Sequence, residues 1–487
     1  MLRILLTMVA LVIIAAEPLY AQSLELSDCR ITAGPGASSM KARCGTLTRP
    51  LDPSGAVDGE IELRVAVVAA LNLTPEADPL VPIAGGPGQG TVQFYTAWSG
   101  AFEAVRRNRD ILLIDQRGTG ESSTMDCDFD DDMVLVESDN SVELTVEYTA
   151  ECLSKLPYDP RFFTTSVAVT DIEAVREALG YPSLNLYGVS YGSRVAQHFA
   201  RRYPGSTRTL IIDGVVAPQI SLGPEIATDS QDAVNRILAR CIEDEACGER
   251  FPNLVDDFDR VVAELRETPV DILVPHPSTG RAEEIRFGIG EFAAAVRMLA
   301  YHPASISLLP LLISEAGNGN YVPLGSQFLM TMTEMADMLS LGMHNAVMCT
   351  EDVPYYDESM IDYDGLEASY MGTFQLEALK AICSVWPAGP IDDGFKVPLE
   401  SDIPTLLLSG NADPITPPRY ADLAAVDLGN ARHLVGQDQG HGQVSVGCVP
   451  RLIGEFIESA DPSRLEADCM ERSFVMPFFL DFSGPNP

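Results

Sequence analysis

The sequence is short of basic residues. Its 487 residues include 32 lysines and arginines against 70 aspartates and glutamates, which gives a formal net charge of −38. Nucleic-acid-binding proteins carry basic patches that neutralise phosphates, and anionic membrane surfaces attract polybasic segments. The charge balance therefore argues against a nucleic-acid partner and against attachment to an anionic membrane surface.

Long hydrophobic runs are absent beyond the N-terminus. The short, positively charged start Met1–Arg3 is followed by the apolar run Ile4–Ala16 and then by the small residue Ala21. This pattern is typical of a secretory signal, so we predict that residues 1–21 are a cleaved signal peptide and that the protein is secreted or periplasmic. The run is short for a membrane span, although an uncleaved anchor remains the alternative. After cleavage we expect no stable membrane association.

Closely spaced Cys-x-x-Cys pairs are also missing from the ten cysteines. Structural zinc sites favour that spacing with a paired histidine, so we expect no metal and no cofactor. Ten cysteines fit an oxidising compartment. Connectivity cannot be deduced from sequence alone, and the simplest guess pairs neighbours along the chain: Cys29 with Cys44, Cys127 with Cys152, Cys241 with Cys247, Cys349 with Cys383, and Cys448 with Cys469.

The sequence does contain a Gly-x-Ser-x-Gly motif in a setting that suits catalysis. Gly188, Ser190 and Gly192 follow the short apolar run Leu184–Tyr187 and precede a helical pattern over Ser193–Ala200. A strand, a sharp turn and a helix form a nucleophile elbow, which holds the serine on a strained turn. The alternative is a plain glycine-rich turn. The flanking strand and helix favour Ser190 as a nucleophile.

A serine nucleophile needs a base to take its proton, and in this arrangement an acid and then a histidine follow it along the chain. Asp413 comes directly after the predicted strand Ile403–Gly410, and His441 lies in a glycine-flanked loop after the predicted strand Ala431–Val435. We predict a catalytic triad of Ser190, Asp413 and His441, in which His441 is the general base and Asp413 orients it.

Rivals exist for both partners of the serine. Asp213, at the end of the predicted strand Thr209–Asp213, is the competing acid. The other five histidines either precede Asp413 or, like His433, lie within a predicted strand. Asp413 and His441 therefore remain the favoured pair.

A glycine-rich segment, Gly85-Gly86-Pro87-Gly88, follows the predicted strand Leu80–Ala84. A tetrahedral intermediate needs backbone N–H donors directed at its oxyanion. We predict these donors to be Gly86, with Gly85 as the alternative, and Tyr191, the residue after the nucleophile. A phosphate-binding loop is the competing interpretation, but the Gly-Lys-Ser/Thr ending of a P-loop is absent.

Further motifs occur in a fixed order along the chain. They are Gly85-Gly86-Pro87-Gly88, Asp115–Ser122, Gly188–Gly192, Cys383–Pro387, Gly410–Pro417 and Gly440–Gly442. Together they resemble the prolyl iminopeptidase and tripeptidyl aminopeptidase family of α/β-hydrolases, over about Cys44 to Cys469. The sequence departs from the family pattern at Ala84, where many relatives carry histidine.

The resemblance implies an enzyme that removes residues from free peptide N-termini. Such an enzyme must hold the substrate ammonium, and buried carboxylates suit a desolvated cation. Relatives have a similar cysteine-and-acid pattern in the segment Ala346–Asp352. We therefore predict Glu351 and Asp352 as amine anchors, with solvated surface groups as the alternative.

Alternation of strands and helices predicts an α/β fold, a mostly parallel central sheet with helices on both faces. Residues 22–217 are predicted to form the first part of this core and residues 400–487 its C-terminal part. In residues 218–399 apolar side chains recur at helical spacing, which predicts an inserted, mainly helical cap.

Two functions follow from these expectations. The first is a secreted serine aminopeptidase that releases one to three residues from peptide substrates through an acyl-enzyme. The second is a carboxylesterase with the same triad and a neutral, apolar acyl pocket.

Overall fold

The computed structural model describes residues 24–34, 37–127, 142–473 and 475–485. The predicted signal peptide, residues 1–21, lies outside these ranges. No helix within them combines the length and apolar character that a membrane span requires.

A nine-stranded sheet lies at the centre of the described structure. Its strands are β1 (Ser27–Thr32), β2 (Ser39–Pro50), β3 (Glu60–Val68), β4 (Glu76–Ile83), β5 (Arg109–Ile114), β6 (Leu184–Val189), β7 (Thr207–Asp213), β10 (Thr405–Gly410) and β11 (Ala431–Gly436). Their order across the sheet is β1-β2-β3-β5-β4-β6-β7-β10-β11. The neighbouring pairs β1–β2, β2–β3 and β3–β5 are antiparallel. The remaining neighbouring pairs, β5–β4, β4–β6, β6–β7, β7–β10 and β10–β11, are parallel. The predicted, mostly parallel sheet is confirmed.

Both faces of the central strands are covered. Every residue of β6 and of β10 is buried, as expected for parallel strands whose side chains alternate between two cores. Leu186 and Ile212 belong to the apolar cluster on one face, whereas Tyr187 and Ile211 belong to the cluster on the other. The two apolar clusters pack against opposite faces of the sheet and so fix the positions of the carboxyl ends of its strands.

Helices outside the β7–β10 segment contribute to both apolar clusters on the sheet, and the helix Leu341–Val347 from within that segment adds to one of them. The described helices outside the segment are Thr91–Trp98, Glu103–Arg106, Val142–Lys155, Thr165–Leu179, Tyr191–Arg202, Pro418–Ala425 and Val449–Ser459.

The chain between β7 and β10 adds no strand to the large sheet. Its helices are Ile226–Glu243, Glu245–Arg250, Leu254–Glu267, Ile289–Leu299, Pro303–Ile306, Leu309–Gly317, Val322–Met338, Leu341–Val347, Tyr363–Ala368 and Phe374–Val385. The first seven of these helices, up to Val322–Met338, contribute to an apolar cluster of their own, which includes Phe258, Phe292 and Leu312. The segment also contains a hairpin, β8 (Val270–Pro275) with β9 (Ala282–Phe287), which the sequence reasoning missed.

Five disulfides join cysteines that are neighbours along the chain. They link Cys29 to Cys44, Cys127 to Cys152, Cys241 to Cys247, Cys349 to Cys383 and Cys448 to Cys469. The simplest pairing expected from the sequence is the one observed. The Cys127–Cys152 bond lies beside Cys349 and Trp386 in a small buried cluster, so this part of the core packs against the inserted segment.

Candidate active site

Ser190 occupies a strained turn between β6 and the helix Tyr191–Arg202, which we call the elbow helix. Its backbone angles are φ 56° and ψ −129°, a region that a residue with a side chain rarely adopts. Two hydrogen bonds hold the turn: Ser190 N donates to the Asp213 carbonyl at 2.9 Å, and Ser193 Oγ donates to the Ser190 carbonyl at 2.6 Å. This is the geometry of a nucleophile elbow.

The two glycines of the motif are required by close backbone contacts. A Cβ on Gly188 would lie 2.2 Å from the carbonyl oxygen of Gly192, and a Cβ on Gly192 would lie 2.2 Å from that of Ile83. No side chain fits at those distances. The elbow helix can therefore approach β4 and β6 only because both positions are glycine.

Asp413 and His441 meet through a hydrogen bond between Asp413 Oδ2 and His441 Nδ1 at 2.8 Å. Thr416 Oγ1 lies 2.7 Å from the same carboxylate oxygen and 3.0 Å from His441 Nδ1. The other oxygen, Asp413 Oδ1, accepts the N–H groups of Ile415 and Thr416, each at 2.9 Å. The side chain of Asp413 is fully buried, so its orientation toward His441 is set by these donors.

The pair shifts the titration of both groups. Burial by itself raises the pKa of Asp413, but the charge and hydrogen bond of His441 and the backbone donors bring it below its ordinary value. Burial by itself lowers the pKa of His441, and the Asp413 carboxylate raises it above its ordinary value. The imidazole is thus a stronger base than a free histidine, as a general base requires.

Backbone contacts place His441 beside the elbow. Gly214 follows Asp213, whose carbonyl accepts the Ser190 N–H, and a Cβ on Gly214 would lie 2.9 Å from His441 Cε1. Tyr301 supports the ring from another side: its carbonyl accepts the His441 N–H at 2.7 Å, and the two rings meet edge to face with centroids 5.1 Å apart. No direct hydrogen bond joins Ser190 Oγ and His441 in the described residues, and such bonds are often long before substrate binds.

Asp213, the competing acid, has other partners. Both of its carboxylate oxygens accept the Gln443 N–H at 2.8 Å, and Oδ2 also accepts the Tyr187 hydroxyl at 2.7 Å. Burial raises the pKa of Asp213 to about 6. Its contacts anchor the loop after His441, whereas Asp413 is the carboxylate that contacts the histidine itself.

The Gly85–Gly88 segment lies against the serine. A Cβ on Gly85 would lie 2.9 Å from Ser190 Cβ and 3.4 Å from its Oγ. Gly86 adopts a φ of +106°, which only glycine tolerates readily. Tyr191 opens the elbow helix, where the first N–H groups have no partner within the helix. The N–H donors predicted for the oxyanion hole, Gly86 and Tyr191, thus both belong to backbone next to Ser190; their role stays a prediction.

The inserted segment reaches this loop directly. Gln89 and Leu339 form an antiparallel bridge, and Ser340 N donates to the Gly88 carbonyl at 3.0 Å. His344 Nδ1 lies 3.3 Å from the Pro87 carbonyl oxygen. The insertion therefore lies directly against the glycine-rich loop, which itself packs on Ser190.

Glu351 and Asp352 lie in the interior of the protein. Arg194 of the elbow helix binds Asp352 with two nitrogens, at 2.8 and 2.7 Å, and Leu222 N donates to the same carboxylate. Glu351 accepts the Thr165 N–H at 2.7 Å and its hydroxyl at 2.9 Å. Both acidic residues are fully buried.

The two carboxylates are not solvated surface groups, because both are fully buried and already accept hydrogen bonds from groups of the fold. A buried Arg–carboxylate pair of this kind holds elements together: here it fixes the elbow helix to the inserted segment. The predicted amine-anchor role of Glu351 and Asp352 thus gains no support from their contacts.

The Asp115–Ser122 motif also has a structural role. Arg117 is fully buried and binds Asp171 with two nitrogens at 2.7 and 2.9 Å. Asp115 accepts the N–H groups of Val92 and Glu121, and a Cβ on Gly120 would lie 2.4 Å from its carboxylate. Through these hydrogen bonds the motif fixes the loop after β5 next to the glycine-rich loop.

Sequence reasoning missed Thr416, Tyr301 and Arg194. Thr416 stands three residues after Asp413, and only that spacing could have suggested it. Tyr301 and Arg194 belong to distant parts of the chain, and no local pattern marks them. In the described ranges no group of three or more histidine, cysteine, aspartate or glutamate side chains is placed to hold a metal ion.

Two family descriptions match this chain. A family described as "alpha/beta hydrolase fold" matches residues 78–246, which hold the glycine-rich loop and the elbow. A second, described as "TAP-like protein", matches residues 368–469, which hold Asp413 and His441. The two matches confirm the α/β-hydrolase fold and the resemblance to the prolyl iminopeptidase and tripeptidyl aminopeptidase family.

Several relatives are peptidases by name. The serine protease Hip1 of Mycobacterium tuberculosis is 27% identical over 462 residues, which span 85% of this chain and 84% of Hip1. A tripeptidyl aminopeptidase of Streptomyces coelicolor is 27% identical over 191 residues, 36% of this chain and 35% of that protein. A proline iminopeptidase of Xylella fastidiosa is 29% identical over 146 residues, 29% of this chain and 33% of that protein. The chain is therefore an enzyme, a hydrolase of the serine-peptidase type.

Proposed function

We propose that this hydrolase is a secreted aminopeptidase that releases one to three residues from the free N-termini of peptides. Ser190, Asp413 and His441 are its catalytic triad, and the N–H groups of Gly86 and Tyr191 form its oxyanion hole. The substrate is a peptide; no cofactor and no nucleic acid takes part. The observation that carries the proposal is the Asp413–His441 hydrogen bond of 2.8 Å, which lies beside the Ser190 elbow in a chain whose relatives are named as peptidases.

The mechanism follows from the roles of these groups. Ser190 Oγ attacks the scissile carbonyl carbon while His441 takes the hydroxyl proton, and the carbonyl oxygen becomes an oxyanion that accepts the two backbone N–H groups. The intermediate collapses, the C–N bond breaks, and His441 gives its proton to the leaving amine. A water then loses a proton to His441, attacks the acyl-enzyme and releases the carboxylic acid, which regenerates Ser190.

Secretion is supported by the five disulfides, because such bonds persist in oxidising compartments. The signal peptide that would direct export lies outside the described residues. The strongly acidic surface gives no basic patch for phosphates, which supports a substrate other than nucleic acid.

A carboxylesterase is the second candidate, and one observation favours it. Glu351 and Asp352, the carboxylates expected to hold the substrate ammonium, are fully buried and bound by Thr165 and Arg194. An esterase needs no amine anchor, so carboxylates that are already bound by groups of the fold are compatible with that function.

The experiment compares a tripeptide p-nitroanilide with a free N-terminus, its N-acetylated form, and p-nitrophenyl acetate. We expect rapid cleavage of the free peptide, at least about a hundredfold slower cleavage of the acetylated one, and no turnover of any substrate by the folded Ser190→Ala variant. Hydrolysis of the ester with neither peptide cleaved would favour the esterase. Undiminished turnover by Ser190→Ala would remove Ser190 from the mechanism.

A further inference from the structure

Arg297 lies in the inserted segment near the active site, on the helix Ile289–Leu299. Its Nη2 donates to the Tyr301 hydroxyl at 3.2 Å, and its Nη1 donates to Gln375 Oε1 at 3.4 Å. Both are long hydrogen bonds. The guanidinium carbon also lies 5.9 Å from the centroid of the Tyr301 ring.

Two neighbours place the Arg297 charge near the catalytic residues. Tyr301, which it contacts, packs on the ring of His441, and the Tyr301 carbonyl accepts the His441 N–H. His344 contacts the Pro87 carbonyl of the glycine-rich loop, and that loop packs on Ser190. Burial lowers the pKa of His344, and the charge of Arg297 lowers it further. For His441, burial and Arg297 both oppose the rise in pKa that Asp413 causes. Arg297 is thus within electrostatic reach of His441 and of His344.

The guanidinium has no acidic partner in the described structure. No aspartate or glutamate there forms an ion pair with Arg297, and its Nε is buried without a hydrogen-bond acceptor. The buried arginines Arg117 and Arg194, in contrast, each bind a carboxylate with two nitrogens. In a chain with 70 acidic residues and 32 basic ones, a partly buried arginine without a carboxylate partner retains N–H donors that an anion can accept.

We propose that Arg297 binds a carboxylate of the substrate. The planar guanidinium presents parallel N–H donors that match a carboxylate, and a partly desolvated charge gains most from an ionised partner. The proposal rests on the proposed function in one respect, since it takes the ligand to be a peptide. The carboxylate is either the side chain of an aspartate or glutamate near the scissile bond or the C-terminus of a short peptide.

Calorimetric titration of the Ser190→Ala protein separates these two sources without requiring turnover. One pair of peptides is Ala-Ala-Glu-Ala-amide and Ala-Ala-Gln-Ala-amide, which differ only in a side-chain charge. The other pair is tetra-alanine and its C-terminal amide, which differ only in the terminal carboxylate. We expect the acidic member of one pair to bind at least about tenfold more tightly than its neutral partner. Adding Arg297→Gln should remove this preference, and adding Arg297→Lys, which keeps the charge but not the fork, should retain part of it.

Arg201→Gln in the same background is the matched control. Arg201 lies near the end of the elbow helix that is distant from Ser190 and also has an Nε without an acceptor, so its loss removes an equal charge away from the serine and should leave the preference intact. Equal affinities within both pairs, no binding of any peptide, or a preference unchanged by Arg297→Gln would each overturn the proposal. Its failure is distinct from failure of the aminopeptidase proposal, which depends on cleavage of the free tripeptide anilide by the wild-type enzyme.

Discussion

Single residues decide which carboxylate assists His441. Asp413 and Asp213 are both buried at the carboxyl ends of neighbouring strands, β10 and β7. Only Asp413 forms a hydrogen bond to the imidazole, whereas Asp213 binds Gln443 N and the Tyr187 hydroxyl. We infer that Asp413 controls the basicity of His441 and that Asp213 controls the position of its loop.

Asp413→Asn should therefore lower kcat by about a thousandfold or more, because the asparagine fixes the wrong tautomer and no longer stabilises the imidazolium. Asp213→Asn should cost much less in kcat. Steady-state kinetics on the two folded variants, with circular dichroism as the check on folding, measure the difference. A larger loss in Asp213→Asn would transfer the acid's role to Asp213.

The same pair predicts a pH dependence. His441 must be neutral to act as a base, and its pKa lies above the ordinary value because Asp413 favours the charged ring. The acidic limb of kcat/KM should therefore have its midpoint above about 6.5, the pKa of an unperturbed histidine. In Asp413→Asn the midpoint of this acidic limb should move to a lower pH. If the midpoint is the same in Asp413→Asn as in the wild type, a group other than His441 causes the acidic limb.

At the level of elements, the elbow depends on how closely the helix Tyr191–Arg202 approaches its strands. Gly192 is the point of closest contact, since a Cβ there would lie 2.2 Å from the Ile83 carbonyl oxygen and 2.6 Å from that of Ala84. Backbone atoms at those distances cannot move aside as a flexible side chain could. One methyl group at this position must displace the helix or the strand.

Gly192→Ala should consequently destabilise the protein by about 3 kcal/mol or more and reduce turnover, because any shift of the helix moves Ser190 and the Tyr191 N–H together. Gly205→Ala is the control, as Gly205 has no neighbouring atom within 4 Å of its added Cβ; its effect should stay within about 0.5 kcal/mol. Thermal unfolding and kcat of both variants test this. A stable, fully active Gly192→Ala enzyme would show that the elbow tolerates a wider separation.

The whole molecule buries several carboxylates, and this affects its stability. Burial raises the pKa of Glu351 to about 7, although the Arg194 charge opposes the shift. The unfolded chain releases this proton at an ordinary glutamate pKa, near 4.3. Between these values the folded state binds more protons than the unfolded state, so this residue's contribution to stability falls as pH rises.

Glu351→Gln should flatten that dependence, because glutamine keeps an acceptor for the Thr165 N–H but cannot ionise. We expect the free energy of unfolding to fall less in the variant than in the wild type between about pH 5 and pH 8, by more than about 1 kcal/mol. Glu466→Gln, at an exposed position, should match the wild type. Chemical denaturation at the two pH values measures the effect, and parallel curves for wild type and Glu351→Gln would contradict it.

Much of the fold could be predicted because its signals are local. The strand, turn and helix around Ser190 lie within one short segment, and the glycines mark where backbones touch. The predicted bounds of β7, Thr209–Asp213, differ from the observed Thr207–Asp213 by only two residues. The hairpin β8–β9 was missed because its alternation of exposed and buried residues is short and lies among helical patterns.

The sequence by itself determined the alternation of strands and helices, the elbow at Ser190 and the order of the motifs, since each depends on residues close together along the chain. The tertiary structure decided which charges are satisfied. Arg194 and Asp352 stand 158 positions apart, yet they form a buried ion pair, whereas Arg297 has no ion pair with an aspartate or glutamate among the described residues. Long-range packing sets those partners, because burial makes a charge costly unless an opposite charge or a ligand meets it.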